Sequence, residues 1–180
     1  MKTYVAFFRG INVGGKNLLT MKDLIKRVES IGLQKVRTYI QSGNAVFETE
    51  EAEASSLSDR ISSTIMASHG FKPRVLLLQL EDVEKSVRAN PFPEAERDPK
   101  SLHFFFLATT PVNPDIHALE AAKSDSERFI LTNNVFYLHA PDGIGRSKLA
   151  ANAETLLGVP ATARNWRTVS NVLEMAKRDG

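Results

Sequence analysis

Cysteine is absent from the 180 residues. That excludes a disulfide framework, thiolate metal sites and a cysteine nucleophile, and it suits a reducing compartment. Long apolar runs are absent as well. The N-terminal MKTYVAFFRG holds one apolar stretch of five residues, too short for the core of a secretory signal. Nothing approaches the roughly 20 apolar residues of a membrane span, so a cytoplasmic protein with no membrane partner is expected. The four histidines, His69, His103, His117 and His139, never fall at H-x-H or H-x-x-x-H spacing, so no metal site is expected. No G-x-S-x-G elbow for a nucleophilic serine occurs, and no cofactor is expected.

Hydrophobic residues make up 42% and charged residues 24%, the balance of a globular chain able to bury a core. Net charge is only +2, but it is unevenly spread. Residues 1–47 carry eight Lys or Arg against two acids, whereas residues 48–98 carry six against eleven. The basic N-terminal segment attracts anions. The plainer explanation is a solvated helix face, since Lys22, Lys26 and Arg27 share one helix.

Periodicity places a strand at residues 3–9 and a helix at about 20–31, with Thr20 as cap and Gly32 as stop. KVRTYI and NAVFET are strands joined by a tight QSG turn. A helix over about 53–68 and the buried strand PRVLLLQL follow. After a short helix, EDVEKSVRA, the loop NPFPEAERDP breaks periodicity and marks the best boundary. Beyond it LHFFFLAT, PDIHALEAAK, RFILTN, NVFYLHA and SKLAANAETLLG repeat the order strand, helix, strand, strand, helix. A last helix covers about 168–178. The expected fold is α+β: two tandem ferredoxin-like (βαββα) units with mainly antiparallel sheets, at residues 1–90 and 100–180.

RGINVGGKN, residues 9–17, carries the spacing G-x-x-x-x-G-K of a phosphate-binding P-loop, but Asn17 stands where Ser or Thr would hold magnesium. A P-loop helix starts at the lysine so that its N-terminus meets the phosphate, and here the cap is Thr20. The topology offers another role. In a β-α-β-β unit the first two strands are parallel, so this loop and IQSGN lie at the same sheet edge. Arg9, Asn12, Gly14, Gly15, Lys16 and Asn17 would then meet Gln41, Ser42 and Asn44. Glycine pairs can expose backbone N–H groups to an anion, the cations add charge, and the amides and hydroxyl suit polar edges. Alternatively, Gly14–Gly15 and Ser42–Gly43 serve only as turns.

Two later clusters are basic. APDGIGRSKL is a Gly-rich turn opening a helix, with Arg146 and Lys148 at its mouth, and it suits phosphate or simply caps the helix at Ser147. In TARNWRT, Arg164, Asn165 and Trp166 could grip a ring, or the tryptophan could anchor the core. FRGINVGGKN, YIQSGNAVF, GIGRSKL and ARNW, in this order, resemble the bacterial family called domain of unknown function 1697, over residues 3 to about 175. The resemblance implies a duplicated ferredoxin-like α+β fold and brings no activity or catalytic residue. The expected partner is a phosphate-bearing small molecule, nucleotide-like, gripped by the cations and read by the amides. The alternatives are a nucleic-acid-binding module using the same residues and a protein-interaction module without catalysis. Whether a reaction is catalysed, and the oligomeric state, are left open by the sequence.

Overall fold

The computed structural model describes residues 1–178. The chain forms two units, one of residues 1–85 with Asn171 onward and one of residues 86–170. The division thus falls after Lys85, and the end of the chain returns to the first unit. The last two residues of the expected 100–180 segment, Asp179 and Gly180, lie outside the described residues.

The first unit runs β1 (Lys2–Arg9), α1 (Met21–Glu29), β2 (Gln34–Tyr39), β3 (Asn44–Thr49), α2 (Ala54–His69) and β4 (Arg74–Gln79). Its sheet order is β2-β3-β1-β4, with every neighbouring pair antiparallel. β1 and β2 are therefore parallel, with β3 between them, as the crossover through α1 requires. Thr20 accepts the Asp23 N–H at 3.1 Å to start α1, and left-handed Gly70 closes α2. Tyr4, Ala6 and Phe8 share one face of β1. They pack with Leu24 and Val28 of α1 and with Leu57, Ile61 and Ile65 of α2. Val5 and Phe7 on the other face are buried too, which explains why YVAFF is apolar throughout rather than alternating.

α3 (Leu80–Arg88) and a short 3₁₀ turn at Pro93–Arg97 follow. The second unit then runs β5 (Leu102–Leu107), α4 (Ile116–Ala122), β6 (Arg128–Leu131), β7 (Val135–His139), α5 (Lys148–Leu157) and β8 (Ala161–Asn165), before α6 (Trp166–Lys177). The order β6-β7-β5-β8, all antiparallel, repeats that of the first unit. Both units are α+β and ferredoxin-like, as expected, but the second is a complete βαββαβ rather than βαββα. The added strand, ATARN, has no aliphatic run to announce it. Its strand character comes from pairing with β5, from Leu107 opposite Ala161 to His103 opposite Asn165.

Phe105, Leu107, Phe136 and Leu138 pack on one face of this sheet with Leu119, Leu149, Ala153 and Leu157 from α4 and α5. Phe104, on the other face, meets Tyr137 edge-on at 4.8 Å and Trp166 at 5.8 Å. The last turns of α6 belong to the first unit, where the Met175 carbonyl accepts from Arg37 Nη1 at 2.6 Å.

Candidate functional site

The two loops at the end of β1 and β2 do meet. Phe8 N–H donates to the Gly43 carbonyl at 2.8 Å, and Asn12 Nδ2 donates to the Gln41 carbonyl at 2.8 Å. What joins them, however, is the amide chemistry expected to read a ligand. Asn12 Nδ2 also donates to the Leu19 carbonyl, and its Oδ1 accepts the Leu19 N–H, both at 2.8 Å. Asn17 Nδ2 donates to the Gly10 carbonyl at 2.9 Å. Asn44 is fully buried and ties Tyr39 and Ser42 together.

The loop itself is a miniature hairpin. Val13 and Lys16 pair across Gly14–Gly15, whose φ values of +57° and +74° make the left-handed turn that suits strand twist. Arg9, Lys16, Gln41 and Ser42 remain exposed. Beside them Val13, Leu18 and Ile40 expose apolar side chains that sequence reasoning did not single out. Ile40 holds φ at +51°, a strained value for a β-branched residue.

In the second unit, ARNW straddles the end of β8 and the start of α6. Arg164 lies opposite Phe104 in the sheet, and burial pushes its guanidinium pKa down to about 10. Asn165 Oδ1 accepts the Thr168 N–H at 3.0 Å and so caps the first turn of α6. Trp166 packs on Phe104. Each of the three thus has a place in the architecture of the unit.

GIGRSK is placed differently. After β7, Gly143 N–H closes onto the Ala140 carbonyl at 3.0 Å, and one 3₁₀ turn carries Arg146 to Ser147. Ser147 Oγ accepts the Ala150 N–H at 2.9 Å, starting α5. Of the first N–H groups of α5, those of Lys148 and Leu149 precede the first intrahelical bond. This end of the helix opens on a cleft of about 430 Å³, walled by the end of α4, the turn before β6 and the loop after β7. Arg146, Lys148 and Lys123 line it. None of these three cations forms an ion pair among the described residues.

Two acids share the cleft. Asp142 accepts a hydrogen bond from Ser126 Oγ. Glu127, only 4% exposed, accepts the Ser124 N–H on Oε1 at 2.9 Å, while its Oε2 has no partner among the described residues. Lys123 and Glu127 were not legible as site residues. The only signal at Glu127 is Ser124-x-x-Glu127, the spacing of a helix capping box. Here it closes a turn before a strand.

Among the described residues no group of His, Asp or Glu is arranged to hold a metal ion. None of their helices is long and apolar enough to cross a membrane.

Fold and cleft together define a duplicated ferredoxin-like α+β protein with a cationic cleft at the mouth of one helix. The chain belongs to the family described as Protein of unknown function (DUF1697), whose model matches residues 1–137. That match ends within β7, before the GIGRSK and ARNW stretches. Among solved structures, the chain is similar to the conserved bacterial protein SP0830 from Streptococcus pneumoniae. Identity is 26% and the TM-score 0.73, over 98% of this chain and 99% of that one. No curated protein matches the chain.

Proposed function

We propose that this protein binds a phosphate-bearing small molecule, nucleotide-like in size, in the cleft of its second unit. One observation carries the reading: Lys123, Arg146 and Lys148, free of ion pairs among the described residues, line the cleft at the N-terminus of α5. Unpaired cations and N–H groups at a helix start both favour an anion. The volume, about 430 Å³, lies within the range of small-molecule sites, roughly 300–1,000 Å³.

The nucleic-acid alternative needs exposed rings on which bases can stack. Of the strand aromatics, Tyr4, Phe7, Phe8, Phe47, Phe104, Phe105, Phe106, Phe136 and Tyr137 are buried, and Tyr39 and Phe129 are half-buried, so no strand presents a fully exposed ring. The small-molecule reading is therefore the better supported.

The test is calorimetric titration at fixed ionic strength with inorganic phosphate, pyrophosphate and nucleoside monophosphates, on wild type and on Arg146→Ala/Lys148→Ala. The double variant should bind at least about tenfold more weakly, a loss of about 1.4 kcal/mol. Equal binding by the double variant, or no binding of any probe at millimolar concentration, overturns the proposal. An oligonucleotide that binds more tightly than every small probe, with steep salt dependence, would favour the nucleic-acid reading instead.

A further inference from the structure

The cleft is polar in two senses. Three cations line it, and so does a carboxylate with one oxygen unspent. Glu127 is held at both ends of a turn: its N–H donates to the Ser124 carbonyl at 3.1 Å, and its Oε1 accepts the Ser124 N–H at 2.9 Å. This clamp keeps the carboxylate from swinging out into solvent.

Oε2 is buried and meets no donor among the described residues. None of Lys123, Arg146 and Lys148 pairs with it, although all four residues line the same cleft. The other acid there, Asp142, is already engaged by Ser126. A buried carboxylate oxygen without a donor is unfavourable, because it has lost water and gained nothing in exchange. A ligand seated in the cleft that Glu127 lines can supply that donor. A fully ionised phosphate cannot serve, since it has no hydrogen to donate and carries the same sign of charge.

We infer that the ligand of this cleft is a phosphate ester that also carries an N–H donor, at its simplest a primary ammonium, and that Glu127 Oε2 is the acceptor for that group. The inference rests on the phosphate reading above and narrows it to a class with charges of both signs. Lys123, Arg146 and Lys148 take the phosphate end, and Glu127 takes the nitrogen.

The experiment is calorimetric titration of the full chain with ω-aminoalkyl phosphates of increasing length, each beside the n-alkyl phosphate of the same length. At the length that spans the cleft, wild type should prefer the amine by about tenfold or more. Glu127→Gln keeps the Oε1 contact but loses the charge. It should still bind the alkyl phosphate, no more weakly than wild type, and lose most of that preference.

If no length shows a preference in wild type, or if Glu127→Gln keeps it, the inference is overturned. Alkyl phosphates that bind, and weaken in Arg146→Ala/Lys148→Ala, would leave the phosphate reading standing without it. If no phosphate binds at all, both fall. The wild-type series decides the matter by itself should Glu127→Gln not fold.

Discussion

Gly14 and Gly43 both hold positive φ, +57° and +91°, in loops at one edge of the first sheet. A methyl group on Gly14 would meet nothing within 4 Å, so Gly14→Ala costs only its backbone conformation, about 1 kcal/mol. On Gly43 it would lie 2.5 Å from Ile11 Cδ1 and 2.8 Å from Phe8 Cβ. Phe8 Cβ is fixed to a central strand and cannot retreat. Gly43→Ala should therefore cost about 3 kcal/mol or more. Hydrogen exchange at the β1 and β3 amides reads the first unit alone, and similar losses in the two variants would refute the argument. The same close approach explains why the edge is so consumed by its own bonds. Asn12 spends both of its amide hydrogens and its oxygen within the loops. Sequence shows that an amide is present there but not how many of its bonds the fold takes up.

The caps were legible one element at a time because they are local. Thr20 and Ser147 each bond an N–H three residues ahead, a distance the helix itself sets. At Ser147 the cap also shapes the cleft, since α5 must start there for its first turn to open on it. Ser147→Ala should destabilise α5 by about 1 kcal/mol, whereas Ser147→Gly should cost only a few tenths. Faster amide exchange in the first turn of α5 in the alanine variant alone is the expected outcome. No change in either variant would mean that the hydroxyl is not the cap. β8 was not legible for the opposite reason. Its partner, β5, lies more than 50 residues earlier in the chain, and only that pairing makes ATARN a strand.

The pH response belongs to the whole molecule, and it is concentrated in the second unit. Burial holds the pKa of His103 below the usual histidine value, with the Ser101 backbone partly offsetting it. His139 is lowered first by burial and then by the Arg128 charge, against the opposing pull of Glu94 and Asp98. Both rings are thus favoured neutral in the fold. Above the unfolded value of about 6.5 this stabilisation is fully present. As pH falls through 6.5 towards the folded values the unfolded chain takes up protons that the native one refuses, and stability is lost. Trp166, the lone tryptophan, lies in the second unit and reports its melting. Its transition temperature should fall between pH 7 and 5.5. A flat or rising profile would contradict the assignment. The Glu94 carboxyl, held low chiefly by its Arg128 hydrogen bond, contributes in a separate window below about 4.5.

Apart from β8, the order of elements was written in the sequence, because apolar periodicity, caps and glycine stops act over a few residues. β1 is apolar on both faces and is central, and NPFPEAERDP carries three prolines and no long helix. The meeting of RGINVGGKN with IQSGN followed as well, since a β-α-β crossover fixes which strand ends share an edge. Only the tertiary structure decided what those residues are occupied with. Asn12 and Asn44 turn inward to bond backbone groups, and Arg164 is half-buried in the sheet. Glu127, unremarkable in SDSERF, stands in a cleft with Arg146 and Lys148. Local propensity is a property of neighbours along the chain. Burial and unmet hydrogen-bonding capacity are properties of neighbours in space, and they exist only once the sheets and helices have packed.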